Sequence, residues 1–99
     1  MAFPGAEAEA SKLQELMSDH LGHDEVKVRP YGQHLVLEAV CGDTSEPVVR
    51  LTRLEQSRYG LSFRQHTGRW EPVPLAGTLE EVADGAAHLF AAYFDPAHY

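Results

Sequence analysis

The chain has 99 residues, 43% of them hydrophobic and 23% charged, with a formal net charge of −7, which predicts one soluble globular domain over residues 1–99. No apolar run approaches the roughly 18 residues that a membrane helix needs, and the start, Met1 to Glu7, lacks the basic and apolar stretches of a secretory signal. The single cysteine excludes an internal disulfide and a four-cysteine zinc site, so the expected compartment is the cytoplasm and no cofactor is expected.

Charge is unevenly spread. Residues 1–25 carry six acids against Lys12, and residues 70–99 carry five acids with no Lys or Arg. Between them, Lys27, Arg29, Arg50, Arg53, Arg58, Arg64 and Arg69 outnumber Glu38, Asp43, Glu46 and Glu55. Acidic ends flank a basic middle.

The spacing of Leu13, Leu16, Met17, His20 and Leu21 predicts a helix over residues 6–21. Glu7 and Glu9 suit its first turn, and Gly22 suits its end. Met1–Gly5 are expected to fray.

Period-two alternation follows in five stretches: Val26 and Val28; Leu35, Leu37, Ala39 and Cys41; Val49 and Leu51; Tyr59, Leu61 and Phe63; and Trp70 to Val73. Breaks of three to five residues permit only antiparallel hairpins, hence a meander. Pairing Cys41 with Pro47 sets Glu38 opposite Arg50 and Leu37 beside Leu51. Pairing Gln65 with Trp70 sets Arg64 against Glu71 and puts Trp70 on the face of Phe63. Opposed unlike charges add about 0.2–1 kcal/mol, but burial sets the register, since one slip turns every apolar residue outward.

Leu79, Val82, Ala83, Ala86, Leu89, Phe90 and Tyr93 predict a helix over 79–94. Thr78 and Glu81 fit a capping box, and Pro96 ends the helix, leaving 97–99 frayed. The fold class is α+β, in the order α-β-β-β-β-β-α, with an antiparallel meander and both helices on one sheet face. The open face then carries Lys27, Arg29, Glu38, Arg50, Thr52, Ser62, Arg64 and Glu71, with Val36, Val40 and Val48 among them.

Candidate chemistry is sparse. His20 and His23, with an acid, are the candidates for an alternative reading, a small metal- or His-dependent enzyme, but their i, i+3 spacing straddles Gly22, and a histidine in a last turn already suits the helix dipole. Cys41 has inward parity while His34 points outward, so the thiol reads as a buried small apolar group, not an activated nucleophile. Gly60-Leu61-Ser62-Phe63-Arg64 is not a nucleophile elbow. No phosphate-cradling glycine motif is present. His66 to Glu71 reads as a hairpin turn rather than a recognition tip.

The arginine-bearing sheet face is the remaining candidate. Nucleic-acid sheets stack bases on exposed aromatics, and the predicted outward positions hold none; the acidic total also opposes phosphate. Nucleic acid is therefore not the expected partner. Arginine among valines suits a protein partner or a second copy in a homodimer, through Lys27, Val36, Val40, Val48, Arg50, Arg64 and Arg69 or through a sheet edge. In size, acidity and α-plus-meander layout the chain resembles several groups of small bacterial binding proteins, type III secretion chaperones and toxin-immunity proteins among them. That resemblance implies protein binding without catalysis, though fold alone does not fix function.

Overall fold

The structure is a computed structural model and describes residues 2–94. The element order is α1 (Ala6–Leu21), β1 (Val26–Tyr31), β2 (His34–Cys41), β3 (Thr44–Glu55), β4 (Arg58–Arg64), β5 (Trp70–Gly77) and α2 (Leu79–Phe94). The strands pair in sequence order as an antiparallel meander. Both helices cover one face and pack against each other. The α+β architecture is thus the one that periodicity predicts.

The core lies between the layers. Leu35, Leu37, Val49, Leu51, Tyr59 and Leu61 from the sheet meet Leu13, Met17, Val82, Ala83 and Ala86 from the helices. Thr78 and Glu81 form the capping box: the Thr78 amide donates to Glu81 Oε1 (2.9 Å), and the Glu81 amide donates to Thr78 Oγ1 (3.2 Å). At the other helix, Gly22 takes a positive φ of 77° and its amide bonds to Ser18 O (2.8 Å), closing α1.

Several expectations need correction. Phe3 is not frayed: it is 4% exposed, and its amide bonds to Gly32 O at 3.0 Å. Residues 97–99 lie outside the described residues. In α2, Phe90 leaves helical geometry (φ −122°, ψ 18°). Leu89, just before it, is exposed, and beyond it Phe94 is buried while Tyr93 is exposed.

The β2–β3 register differs because turn and core demand different phases. Cys41 pairs with Thr44 around a two-residue loop in which Gly42 has φ 61°. Continued without interruption, that pairing would oppose Leu35 to Arg50. Instead Leu35 opposes Leu51 and Leu37 opposes Val49, and the extra residue, Val48, is absorbed in a bulge beside Glu38. The expected pairings of Cys41 with Pro47 and of Glu38 with Arg50 therefore do not occur. Cys41, at the hairpin end, is exposed rather than buried. The β3–β4 hairpin meets the same conflict: its two-residue loop, with Ser57 at φ 67°, is reconciled with the core by a bulge at Leu54.

Between β4 and β5, Arg64 pairs with Trp70 and Phe63 with Glu71. The expected Gln65–Trp70 pairing is replaced by a longer loop, closed by Gln65 N to Arg69 O at 2.8 Å. Directly opposed residues share a face, so Glu71 joins the side of Phe63 and Trp70 joins the open side. Among the described residues, no helix is long and apolar enough to cross a membrane.

Candidate binding face

Alternation and register place Lys27, Arg29, Arg50, Arg58 and Arg64 on the open face, together with the carboxylates of Glu38 and, opposite Arg58 at the β3–β4 end, Glu55. Glu38 is 7% exposed and already engaged. Arg29 Nε lies 3.6 Å from its Oε2, and Ser45 Oγ donates to its Oε1 at 3.3 Å. Arg29 also sits 5.7 Å from the Tyr31 ring centroid.

Arg50 is held differently. Its guanidinium lies over the Trp70 ring, 4.5 Å from the centroid, a cation–π contact. Arg50 is on β3 and Trp70 on β5, so the side chain reaches across β4. Ser62, directly opposite Arg50, is small enough to leave that path open. Among the described residues, no carboxylate lies within 4.0 Å of the guanidinium. Arg50 Nε is buried without a hydrogen-bond partner. Burial also lowers the Arg50 pKa.

His34 Nδ1 shares a 2.9 Å hydrogen bond with Thr52 Oγ1. Its pKa is lowered, first by burial and second by the positive charge of Arg50. His34 is thus held toward its neutral form beside a permanent cation.

Apolar surface borders these groups. Tyr31 (63%) and Leu54 (54%) are exposed. A shallow hollow is lined by Thr52, Leu54, Gly60, Ser62, Pro72 and Pro74.

The two sheet edges are blunted. On β1, the Gln14 side chain donates to Val26 O (2.6 Å) and accepts from the Val28 amide (2.9 Å), occupying backbone groups that face away from β2. Pro30 continues that outward row without an N–H. On β5, Pro72 and Pro74 remove two donors from the other free edge. Either edge is a poor template for a further strand.

The sequence-predicted residues divide. Lys27, Val36, Arg50 and Arg64 occupy the open face. Val36 is only 4% exposed, because arginines flank it on both sides at positions 29 and 50 and such stems lie over apolar neighbours. Val40 is half-buried opposite Ser45, near the β2 end. Val48 departs from expectation: the bulge turns it toward the core side, where it lines a cleft with Phe63, Phe90 and Tyr93. Arg69 is exposed in the β4–β5 loop. His20 and His23 do not converge. His20 Nδ1 lies 3.7 Å from Asp84 Oδ1, and His23 Nδ1 accepts from the Glu25 amide at 3.0 Å. Among the described residues, no group of three or more His, Cys, Asp or Glu side chains could hold a metal.

Trp70, Tyr31, Leu54 and His34 were not read from the sequence as parts of a site. The signal for Trp70 was available: Val73 and Leu75 pack on the core, so alternation along β5 sends Trp70 and Pro72 outward. A scan against protein-family models, a search of the curated proteins and a search of the solved structures each return no match.

Proposed function

We propose that this chain is a non-enzymatic protein-binding module that docks its partner on the open sheet face. The observation that carries this reading is the Arg50–Trp70 stack at the face centre, cationic, aromatic and, among the described residues, without a carboxylate within 4.0 Å. Arginine and tryptophan are the residue types that dominate interface hot spots. Exposed Tyr31 and Leu54 add apolar area. The blunted edges favour the face over strand addition. The exposed free thiol of Cys41 suits a reducing compartment, so we place the protein in the cytoplasm.

A homodimer is a variant of this reading. An isologous dimer through the open face would set its cations against their own copies, so self-association would need another surface. Sheet-mediated binding of single-stranded nucleic acid has one observation in its favour, the outward Trp70 beside arginines. Against it stand the net charge of −7 and the guanidinium already lying over the ring. No observation favours a His-dependent enzyme at His20 and His23.

The test is site-specific photocrosslinking in cells, with the crosslinker at Arg58 or Pro72 on the open face and at Glu15 or Asp84 on the helix layer. The expected result is a discrete protein adduct from the open-face positions alone. Equal adducts from both layers, or adducts only from the helices, would reject the reading.

A further inference from the structure

We infer that Arg50, held on Trp70, anchors a carboxylate of the partner, and that the docked segment is an acidic, extended stretch of a different protein with apolar residues beside its acid. This rests on the open-face reading above and names the chemistry of its occupant.

The argument begins with charge. The helices hold seven of the chain's fifteen acids, including Glu7, Glu9, Glu15, Glu80, Glu81 and Asp84, whereas among the described residues the open face has Glu38 and, at its β3–β4 end, Glu55 opposite Arg58. Glu38 is engaged by Arg29 and Ser45. Lys12 likewise has Glu80 at 3.1 Å. Arg50, central and partly buried, has an aromatic ring for company and, among the described residues, no carboxylate within 4.0 Å. A guanidinium already stacked has lost rotamer freedom before any ligand arrives, and its planar fork matches a carboxylate.

The surroundings fit a peptide better than a free anion. Ser62, directly across from Arg50, and Thr52, next outward on β3, offer hydroxyls. Leu54, Pro72 and Pro74 form an apolar hollow on the same face. A segment laid over β3 to β5 would place an acid at Arg50 and apolar side chains over that hollow. A second copy is a worse occupant. Its acidic helix layer could meet this face only head-to-tail, as a ring or an open filament and not as a simple two-fold dimer.

The experiment uses the full chain and its one tryptophan as reporter. The probes are tryptophan-free heptapeptides carrying two glutamates among leucine and proline, the same peptides with glutamine, and oligodeoxythymidine. The expected result is a change in Trp70 fluorescence with the glutamate peptides only. Affinity should fall about tenfold or more with the glutamine peptides and with Arg50→Gln or Arg50→Lys. Arg50→Lys keeps the charge, and its circular dichroism should match the parent chain. Equal binding of glutamine peptides, or full binding by Arg50→Lys, overturns the carboxylate anchor. Binding of oligodeoxythymidine alone overturns the protein occupant. Concentration-dependent rings or filaments in sedimentation, lost in Arg50→Gln, would make the second copy the occupant and also overturn it. If open-face crosslinks persist in Arg50→Gln, the docking face stands and the anchor fails; if they vanish from the face in the parent chain, the docking reading itself fails.

Discussion

Arg50 on β3 and Trp70 on β5 meet across an intervening strand, with the guanidinium 4.5 Å from the ring centroid. Neither neighbours the other in the hydrogen-bonded ladder: Arg50 pairs with Ser62, and Trp70 with Arg64. The contact exists because the β4–β5 register puts Trp70 outside and because Ser62 leaves a lane. Arg50→Ala should therefore raise the acrylamide quenching of Trp70 and move its emission. An exposed cation–π contact is worth about 0.5–1 kcal/mol, so the unfolding free energy should fall by no more than about that. An unchanged quenching constant would mean that the two side chains do not meet in solution.

His34 predicts a pH dependence. Its folded-state pKa lies below the ordinary 6.5, mainly through burial and secondarily through Arg50. The neutral ring is the one the fold favours. The stability it lends is therefore present above pH 6.5 and lost as pH falls through the lower folded value. Chemical denaturation from pH 8 to pH 5 should show this decline, and His34→Gln should flatten part of it. In Arg50→Met, proton NMR should find the His34 pKa partly restored upward, since burial remains. A His34 pKa at or above 6.5 in the parent chain would contradict the assignment.

Phe3 ties the N-terminal residues to the core. Its ring lies 6.5 Å from that of Tyr59, and the Arg53 guanidinium sits 4.9 Å from its centroid. Phe3→Ala should cost about 3–5 kcal/mol, measured by urea denaturation. A cost below about 1 kcal/mol would show that the segment is loose.

Gln14 guards the β1 edge through two hydrogen bonds to the backbone of Val26 and Val28. Gln14→Ala should destabilise by about 1–2 kcal/mol and speed amide exchange at Val28. Sedimentation should also show weak self-association through the uncovered edge. Unchanged exchange at Val28 would place the Gln14 side chain elsewhere.

The architecture was legible because helix and strand periods are read directly from residues such as Val82, Ala83 and Ala86, or Leu35, Leu37 and Ala39. Register was not. A two-residue turn at Gly42-Asp43 and the inward set Leu35, Leu37, Val49 and Leu51 prefer pairings one step apart, and a bulge reconciles them. Nothing local in the sequence announces that Val48 or Leu54 carries the extra residue. The site inherited these errors. Val48 left the open face, while Trp70 joined it when the loop after Arg64 took five residues. The arginine stripe itself was readable, since Arg50 alternates with Val49 and Leu51 whatever the partner strand.

The most direct test of the sheet face as the working surface is amide and indole chemical-shift mapping of the labelled chain against the crosslinked partner. The account predicts shifts at the Trp70 indole, Thr52 and Ser62, with α1 and α2 unperturbed. Shifts confined to the helices, or to the cleft at Phe63 and Phe90, would contradict it.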